Sequence, residues 1–440
     1  MTERLIELDV SVEWQPAEDP VLPHHPRPWT AAVVVLITTF LLAAAGDRLG
    51  LAPPVLQPPE SSQALLVTDD RVYTVTQPAY NPVTLNAFQL PTGVLLWSVP
   101  MRQGFVITHA DDRHVIVFGG GMDPHNGIVD VLDAATGKTV WQRAGIDGAD
   151  LAGDVVLAES TPDPDTTADP PFTYTAVAVD SGTSRWTVTT PGRTLVTAVY
   201  DPGADDGDFA QVTGMAELDP DRTMRFRDVR TGKVQRTVKL AGAEPVNRFQ
   251  VADGRVLTYA DDSQYLGAYD LASGRHLWGG QVEQMASFLN SCGPVLCQEA
   301  DGRVLGLDPD TGRVRWGFDS PNGYTMLNDR RVVVIQSPLT ADGRRTDALL
   351  VDADTGAVRR RLGSWRFLSG LGGDRLLVWR SDDKGHATLG ALDAKTGSVE
   401  VIGTGKGWYG EPDCQTSTIY VACEDMLSLS VWRLPASTMR

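Results

Sequence analysis

The stretch Leu132–Trp141 reads LDAATGKTVW, and close relatives of it return along the chain. YDLASGRHLW ends at Trp278 and LDPDTGRVRW at Trp316, whereas VDADTGAVRR and LDAKTGSVEV keep the frame without the tryptophan. The glycine of each such turn serves as a phase marker: Gly93, Gly137, Gly182, Gly232, Gly274, Gly312, Gly356 and Gly397. Successive markers lie 38 to 50 residues apart, a period that belongs to solenoids, propellers and arrays. An alternating apolar run precedes each glycine and another follows it, and a hairpin such as FQVADGRVLTYA (249–260) lies upstream. Each unit therefore reads as four short strands with period-two patterning. No amphipathic helical run appears outside residues 29–46, so the expected fold is all-β: four-stranded units repeated radially, a β-propeller.

The chemistry of the repeat is architectural. An aspartate stands four residues before the marker glycine in six units, as Asp133, Asp228, Asp270, Asp308, Asp352 and Asp393. Its short carboxylate suits the backbone N–H groups of a tight turn. The glycine supplies a positive φ without a Cβ clash. A tryptophan follows four residues later in five units, as Trp97, Trp141, Trp186, Trp278 and Trp316. A reaction needs a residue once, whereas five equivalent copies of a large flat side chain fit a spacer between blades.

This pattern, xDxxTGxxxW, resembles the tryptophan-docking repeat of quinoprotein-type (PQQ-binding-like) propellers, over roughly residues 60–433. In that family the tryptophan packs against the turn peptide of the neighbouring blade. The family includes pyrroloquinoline-quinone dehydrogenases and non-enzymatic relatives such as the BamB-like propeller lipoprotein of the outer-membrane barrel-assembly machine. The resemblance marks the fold strongly and the activity weakly. The dehydrogenases use adjacent cysteines, a calcium ion and a catalytic aspartate. Here no two cysteines are adjacent, and the Glu-Asn-Asp metal set maps onto no unit. The expectation is no bound cofactor, no metal site and no catalytic residue.

Eight units carry the turn, and a partial set, DCQTSTIYVACEDMLSLSVWRLP, follows the last. Eight blades are expected, with seven or nine as alternatives. The weakest unit is Ala198 to Leu240, which has no tryptophan and an Asp-rich insertion; it is the candidate for an incomplete blade.

Outside the repeat, Thr30–Gly46 (TAAVVVLITTFLLAAAG) carries no charge and Trp29 flanks it. These 18 residues span about 27 Å as a helix, enough for a bilayer core. The preferred reading is a signal anchor; a signal peptide cut after Ala43-Ala44-Ala45 is the rival. The resulting division is a cytoplasmic tail (1–28), a transmembrane helix (29–46), a Pro-rich linker (47–60) and the propeller (61–435). Four cysteines form two close pairs, Cys292 with Cys297 and Cys414 with Cys423. Each pair suits the two strands of one hairpin, and disulfides persist in oxidising compartments. The propeller is therefore expected outside the cytoplasm, anchored to the cell membrane. Zinc is the poorer reading, since the spacing is not CxxC and no histidine is near.

The formal net charge is −18, which argues against nucleic acid because phosphates need clustered Lys and Arg. The seven histidines show no HxH or HExxH spacing, and the glycine-rich FGGGMDPHNG (118–127) joins two strands rather than opening a helix. STPDPDTTADPP and DPGADDGD (201–208) are acidic but lack the spacing of a calcium loop. Three units carry long connections between their second and third strands, Gly119–Gly127, Ser160–Phe172 and Ser337–Thr346, all on one face of a propeller. Loops on a rigid scaffold are where binding usually resides. The expected function is a non-catalytic binding or scaffold module for an unidentified envelope or cell-surface protein. The alternatives are an envelope enzyme of the quinoprotein type and a small-ligand sensor. The acidic tail, with its patches LIELDV and VSVEW, reads as a leader or as a strand to be added to a partner's sheet.

Overall fold

The computed structural model describes residues 54–56 and 62–436, apart from 77–82, 103, 120–126, 161–170, 201–211, 243, 245, 261–264, 282–288, 301, 321–323, 327–331, 336–347, 364, 372, 382–385, 407–411 and 425–428. The tail and the apolar segment 29–46 lie outside the described residues. No described helix is long and apolar enough to cross a membrane.

Each of the eight turn-bearing units forms a four-stranded antiparallel sheet. The blades run over residues 62–101, 105–144, 148–189, 195–239, 248–281, 290–319, 324–361 and 366–406, and their strands are called A to D in chain order. Strand A of blade 1 (Ser62–Val67) touches strand A of blade 2 (Phe105–Ala110), which touches strand A of blade 3 (Gly148–Ala152). The chain then adds a three-stranded sheet, residues 413–433. Its first strand (Asp413–Thr416) meets strand A of blade 8 (Arg366–Gly370) on one side and strand A of blade 1 on the other. The eight-bladed reading thus holds for the four-stranded blades, and the partial set forms a ninth sheet between the last blade and the first.

The strand sequences account for this layering. Strand B carries near-continuous apolar runs, such as VYTV at 72–75 and LLVW at 376–379, and both runs are buried throughout. Such runs are what a strand covered on both faces requires, here by the sheets on either side. Strand D alternates polar and apolar residues and is mostly exposed, as in Thr139–Ala144 and Ser184–Thr189. The core consequently lies between sheets. Tyr73, Leu85 and Trp97 of blade 1 pack with Val115, Val117 and Leu132 of blade 2, and Trp379 and Leu389 of blade 8 pack with Val421 and Trp432 of the ninth sheet.

The ninth sheet acquires an outer partner from the other end of the chain. Within the stretch read as a Pro-rich linker, Val55 donates its N–H to Val431 (2.7 Å), and Val431 donates to Leu56 (3.1 Å). Leu56 faces Val431, two residues before the end of its strand (Leu429–Arg433). Trp97 faces Ala87 in the same register, two residues before the end of strand C (Val83–Gln89). Leu56 therefore occupies the tryptophan position of the ninth sheet. Its Cδ1 lies 3.0 Å from the point where a Cβ on Gly93 would fall. A cluster of Leu56, Val67, Val72, Leu90, Tyr420 and Val431 seals this seam.

Ala198–Leu240, expected as the weakest unit, forms a complete blade with four paired strands. A charge network ties its second and third strands together. Glu217, 1% exposed, accepts from Arg225 Nε (2.9 Å) and Arg227 Nε (2.8 Å). Asp219 accepts from Arg225 Nη2 (2.7 Å) and from the Thr194 hydroxyl (3.0 Å). Both cysteine pairs are disulfides, and each joins strand A or the A–B turn to strand B of its own sheet.

If Leu56 holds the seam, Leu56→Ala should cost about 2–5 kcal/mol, the usual range for truncating a buried leucine. Calorimetric melting of the purified propeller checks this, and an unchanged melting temperature would show that the seam does not depend on Leu56.

Candidate functional site: inter-blade joints and the two faces

The repeated residues converge on one joint. Asp133 accepts the amide N–H (2.8 Å) and hydroxyl (2.6 Å) of Thr136, and its own carbonyl accepts the Gly137 N–H (2.8 Å). Asp228 with Thr231, Asp270 with Ser273, Asp308 with Thr311 and Asp352 with Thr355 repeat the carboxylate geometry. Asp393 accepts the Thr396 N–H at 2.7 Å. All eight marker glycines have φ between 67° and 73°, a region that side chains bearing a Cβ avoid.

The tryptophan of the preceding blade closes the joint. Indole N–H groups donate from Trp97 to Ala134 O (2.9 Å), Trp141 to Val179 O (2.6 Å), Trp186 to Val229 O (2.9 Å), Trp278 to Pro309 O (2.9 Å) and Trp316 to Ala353 O (2.8 Å). Each acceptor lies three residues before the next blade's marker glycine. The ring also lies flat on that glycine: a Cβ on Gly137 would fall 2.6 Å from Trp97, and one on Gly312 2.7 Å from Trp278. The glycine is thus required twice, for its φ and for the ring against it.

Two joints use other residues. Arg360 stands where a tryptophan would, lies against Gly397, and donates from Nη2 to Lys395 O (3.0 Å). Arg236 turns back over the Phe226 ring, 5.4 Å from its centre. The turn of blade 5 there meets the backbone of Lys239, and the Ala241 N–H donates to Gly274 O (2.9 Å).

The propeller has a turn face, with the A–B and C–D turns, and a loop face, with the B–C connections and the links between blades. On the turn face an open basin of about 520 Å³ is lined by Thr68, Asp69, Asp70, Asp111, Asp112 and Arg113. Thr418 of the ninth sheet donates to Asp69 (2.6 Å), which ties this rim across the seam. Burial pushes the Asp111 carboxyl up, but the N–H groups of Arg113 and His114, both at 2.7 Å, outweigh it and hold it below the ordinary range. His114 is buried, with Nε2 3.3 Å from Asp180 and Nδ1 3.8 Å from Asp111. It links the A–B turn of blade 2 to the C–D turn of blade 3.

On the loop face, the B–C turn of blade 4 and its link to blade 5 enclose a cavity of about 120 Å³ beside Arg193, Asp219, Arg222 and Glu244. Arg222 has φ 68° and donates to Glu244 O (2.5 Å) and Ala241 O (2.9 Å), with its guanidinium over the Tyr269 ring. Its task is to pin the link between blades. The strands flanking Gly119–Gly127, Ser160–Phe172 and Ser337–Thr346 make all three B–C connections; residues 120–126, 161–170 and 337–346 of them lie outside the described residues. Among the described residues, no group of three or more His, Cys, Asp or Glu converges as a metal set would. Sequence reasoning missed Leu56, the Glu217 network and His114, none of which belongs to the repeat frame.

Two predictions follow from the joint. Trp316→Phe removes the indole N–H and leaves the buried Ala353 carbonyl unpaired, a loss of about 1–3 kcal/mol; chemical denaturation reads it, and a wild-type midpoint would sever the bond from stability. The second concerns acid. The Arg315 guanidinium and the Thr311 hydroxyl hold Asp308 at about 2. Hydrogen bonds from Thr136, Thr231 and Ser273 lower Asp133, Asp228 and Asp270. Depressed carboxylates stabilise the fold above their unfolded value of about 3.9, and that contribution is lost as pH falls through the folded value. The melting temperature should therefore drop between about pH 4 and pH 2, and Asp308→Asn should drop less over the same window.

A family model described as the outer membrane protein assembly factor BamB matches residues 45–280 and 174–402. No curated protein matches the chain. Among solved structures, BamB from Moraxella catarrhalis is 13% identical, covering 87% of this chain and 98% of its own, with a TM-score of 0.39. The computationally designed Ika8 protein is 14% identical, covering 74% and 96%, with a TM-score of 0.45. Sqt1 from Saccharomyces cerevisiae is 11% identical, covering 87% and 99%, with a TM-score of 0.42. With most of its length matched by one model, and with the turns, glycines and inter-blade tryptophans arranged as a PQQ-like β-propeller, the chain belongs to the BamB family.

Proposed function

We propose that this chain is a membrane-anchored, extracytoplasmic propeller that binds a partner protein of the envelope or cell surface and performs no reaction. Its membership of an assembly-factor family carries this reading. The build of the joints supports it: the six turn aspartates and five tryptophans, which dominate the repeat, are engaged in holding blade to blade. What differs between blades is left to recognise a partner, chiefly the three long B–C connections on the loop face. Two disulfides suit an oxidising compartment, and the uncharged segment 29–46 suits an anchor that leaves the propeller outside the cytoplasm.

Crosslinking of the full-length protein in its native membrane, followed by mass spectrometry of protein and small-molecule fractions, tests this. One abundant envelope partner is expected. Shortening the three loops together should weaken its capture on the order of tenfold, equivalent to about 1.4 kcal/mol. A stoichiometric small molecule without a protein partner, or dye-linked turnover on adding the quinone and calcium, would overturn the reading.

A further inference from the structure

The eight blades act as controls for one another, and by that standard the outer strand of blade 1 is anomalous. The three residues after each marker glycine read KTV, TSR, KVQ, RHL, RVR, AVR and SVE in blades 2 to 8. Every one of these triplets contains a polar or charged residue. Blade 1 has Val94, Leu95 and Leu96, exposed to 55%, 50% and 38%. These residues open strand D, an edge whose outer side pairs with no strand among the described residues. Elsewhere exposed valines stand singly on strand D, as Val140, Val234, Val314 and Val358 do. Such isolated exposure is ordinary, whereas a contiguous run on an edge calls for a cover.

The position of the run indicates what covers it. Val55 O lies 3.8 Å from the Cβ point of Gly93, the residue just before Val94. Leu56 has the register of Trp97 and so runs in the sense of strand D, from the turn face towards the loop face. The chain therefore enters the propeller on the turn face, beside Val94–Leu96. Only eight residues, 47–54, separate Gly46 from Val55, and they reach at most about 30 Å fully extended.

We infer that Val94, Leu95 and Leu96 form a lipid-contacting edge that seats blade 1 on the outer surface of the bilayer. This rests on the reading of residues 29–46 as a membrane anchor. The contact belongs at the boundary between headgroups and acyl chains. There the free N–H and C=O groups of the edge meet water and headgroups, which the hydrocarbon centre would deny them. Three side chains are too few to bind lipid from solution, but the short tether keeps them at high local concentration. Asp69, Asp70, Asp111 and Asp112 share the turn face, so the surface suits zwitterionic lipid and disfavours an anionic one.

The test uses the full chain in phosphatidylcholine vesicles. The four native cysteines are all in disulfides, so Leu95→Cys gives a single labelling site, and Val314→Cys gives the equivalent exposed site on blade 6. Each carries a fluorophore, and some lipids carry a nitroxide near the headgroup. Quenching at position 95 should exceed that at 314 several-fold. Equal quenching, in chains that survive an alkaline wash with the vesicles, overturns the lipid contact and leaves the anchor standing. Shielding of position 95 that grows with protein concentration in detergent assigns the edge to a second copy of this chain and also overturns the proposal. A chain washed off the vesicles removes the anchor, and the lipid contact with it.

Discussion

The ring depends on one contact: an indole laid on a glycine and donating its N–H to a carbonyl of the next blade's turn. A four-stranded sheet has two faces to bury, and here neighbouring sheets cover them. Apolar packing between sheets is non-directional and leaves their relative angle loosely set. The indole adds direction. Its N–H must reach one carbonyl, as Trp97 reaches Ala134, while its plane meets a turn with no Cβ. The turn must in turn be rigid, and the aspartate bonds to N–H and hydroxyl make it so. Asp, Thr or Ser, Gly and Trp thus form one mechanical part distributed over two blades.

The joint tolerates substitution in chemistry but not in function. Arg360 supplies a flat guanidinium and a donor where the indole is missing, so both features of tryptophan are kept by a residue of opposite polarity. At the seam Leu56 supplies only the apolar cover, and backbone pairing with Val431 supplies the direction. Closing the ring with residues from opposite ends of the chain carries the largest loop-closure entropy of any contact in the fold. The Cys414–Cys423 cross-link lies in the very sheet that must wait for that partner. It holds two strands of the sheet paired whether or not the third interface has formed.

Most of this architecture was legible because the signals are local. The turn, its aspartate and its glycine lie within five residues, and the tryptophan within nine, so repetition alone reveals period, strand number and blade count. Hairpin cysteines are legible for the same reason. The rest depends on pairs far apart in sequence. Leu56 and Val431 have no shared pattern, and a Pro-rich flank disguises the bridge. Ala198–Leu240 looks weak because its tryptophan is absent, while its strands are tied together by Glu217, Asp219, Arg225 and Arg227, residues that read singly as surface charge. His114 likewise shows no motif, because its partner Asp180 is in the next blade.

A ring built from equivalent joints confines specificity to what breaks the equivalence. The family trait cannot by itself choose a partner, since every blade shows the same turn. The departures are few and unequally placed. The long B–C connections belong to blades 2, 3 and 7, all on the loop face. The acidic basin lies across blades 1 and 2 on the turn face. Among the described residues, the apolar edge belongs to blade 1 alone. Blade 1 is also the blade against which Val55 and Leu56 pack, so the basin and the apolar edge both lie beside the seam. Both faces of such a propeller can change in sequence without touching the joints between blades.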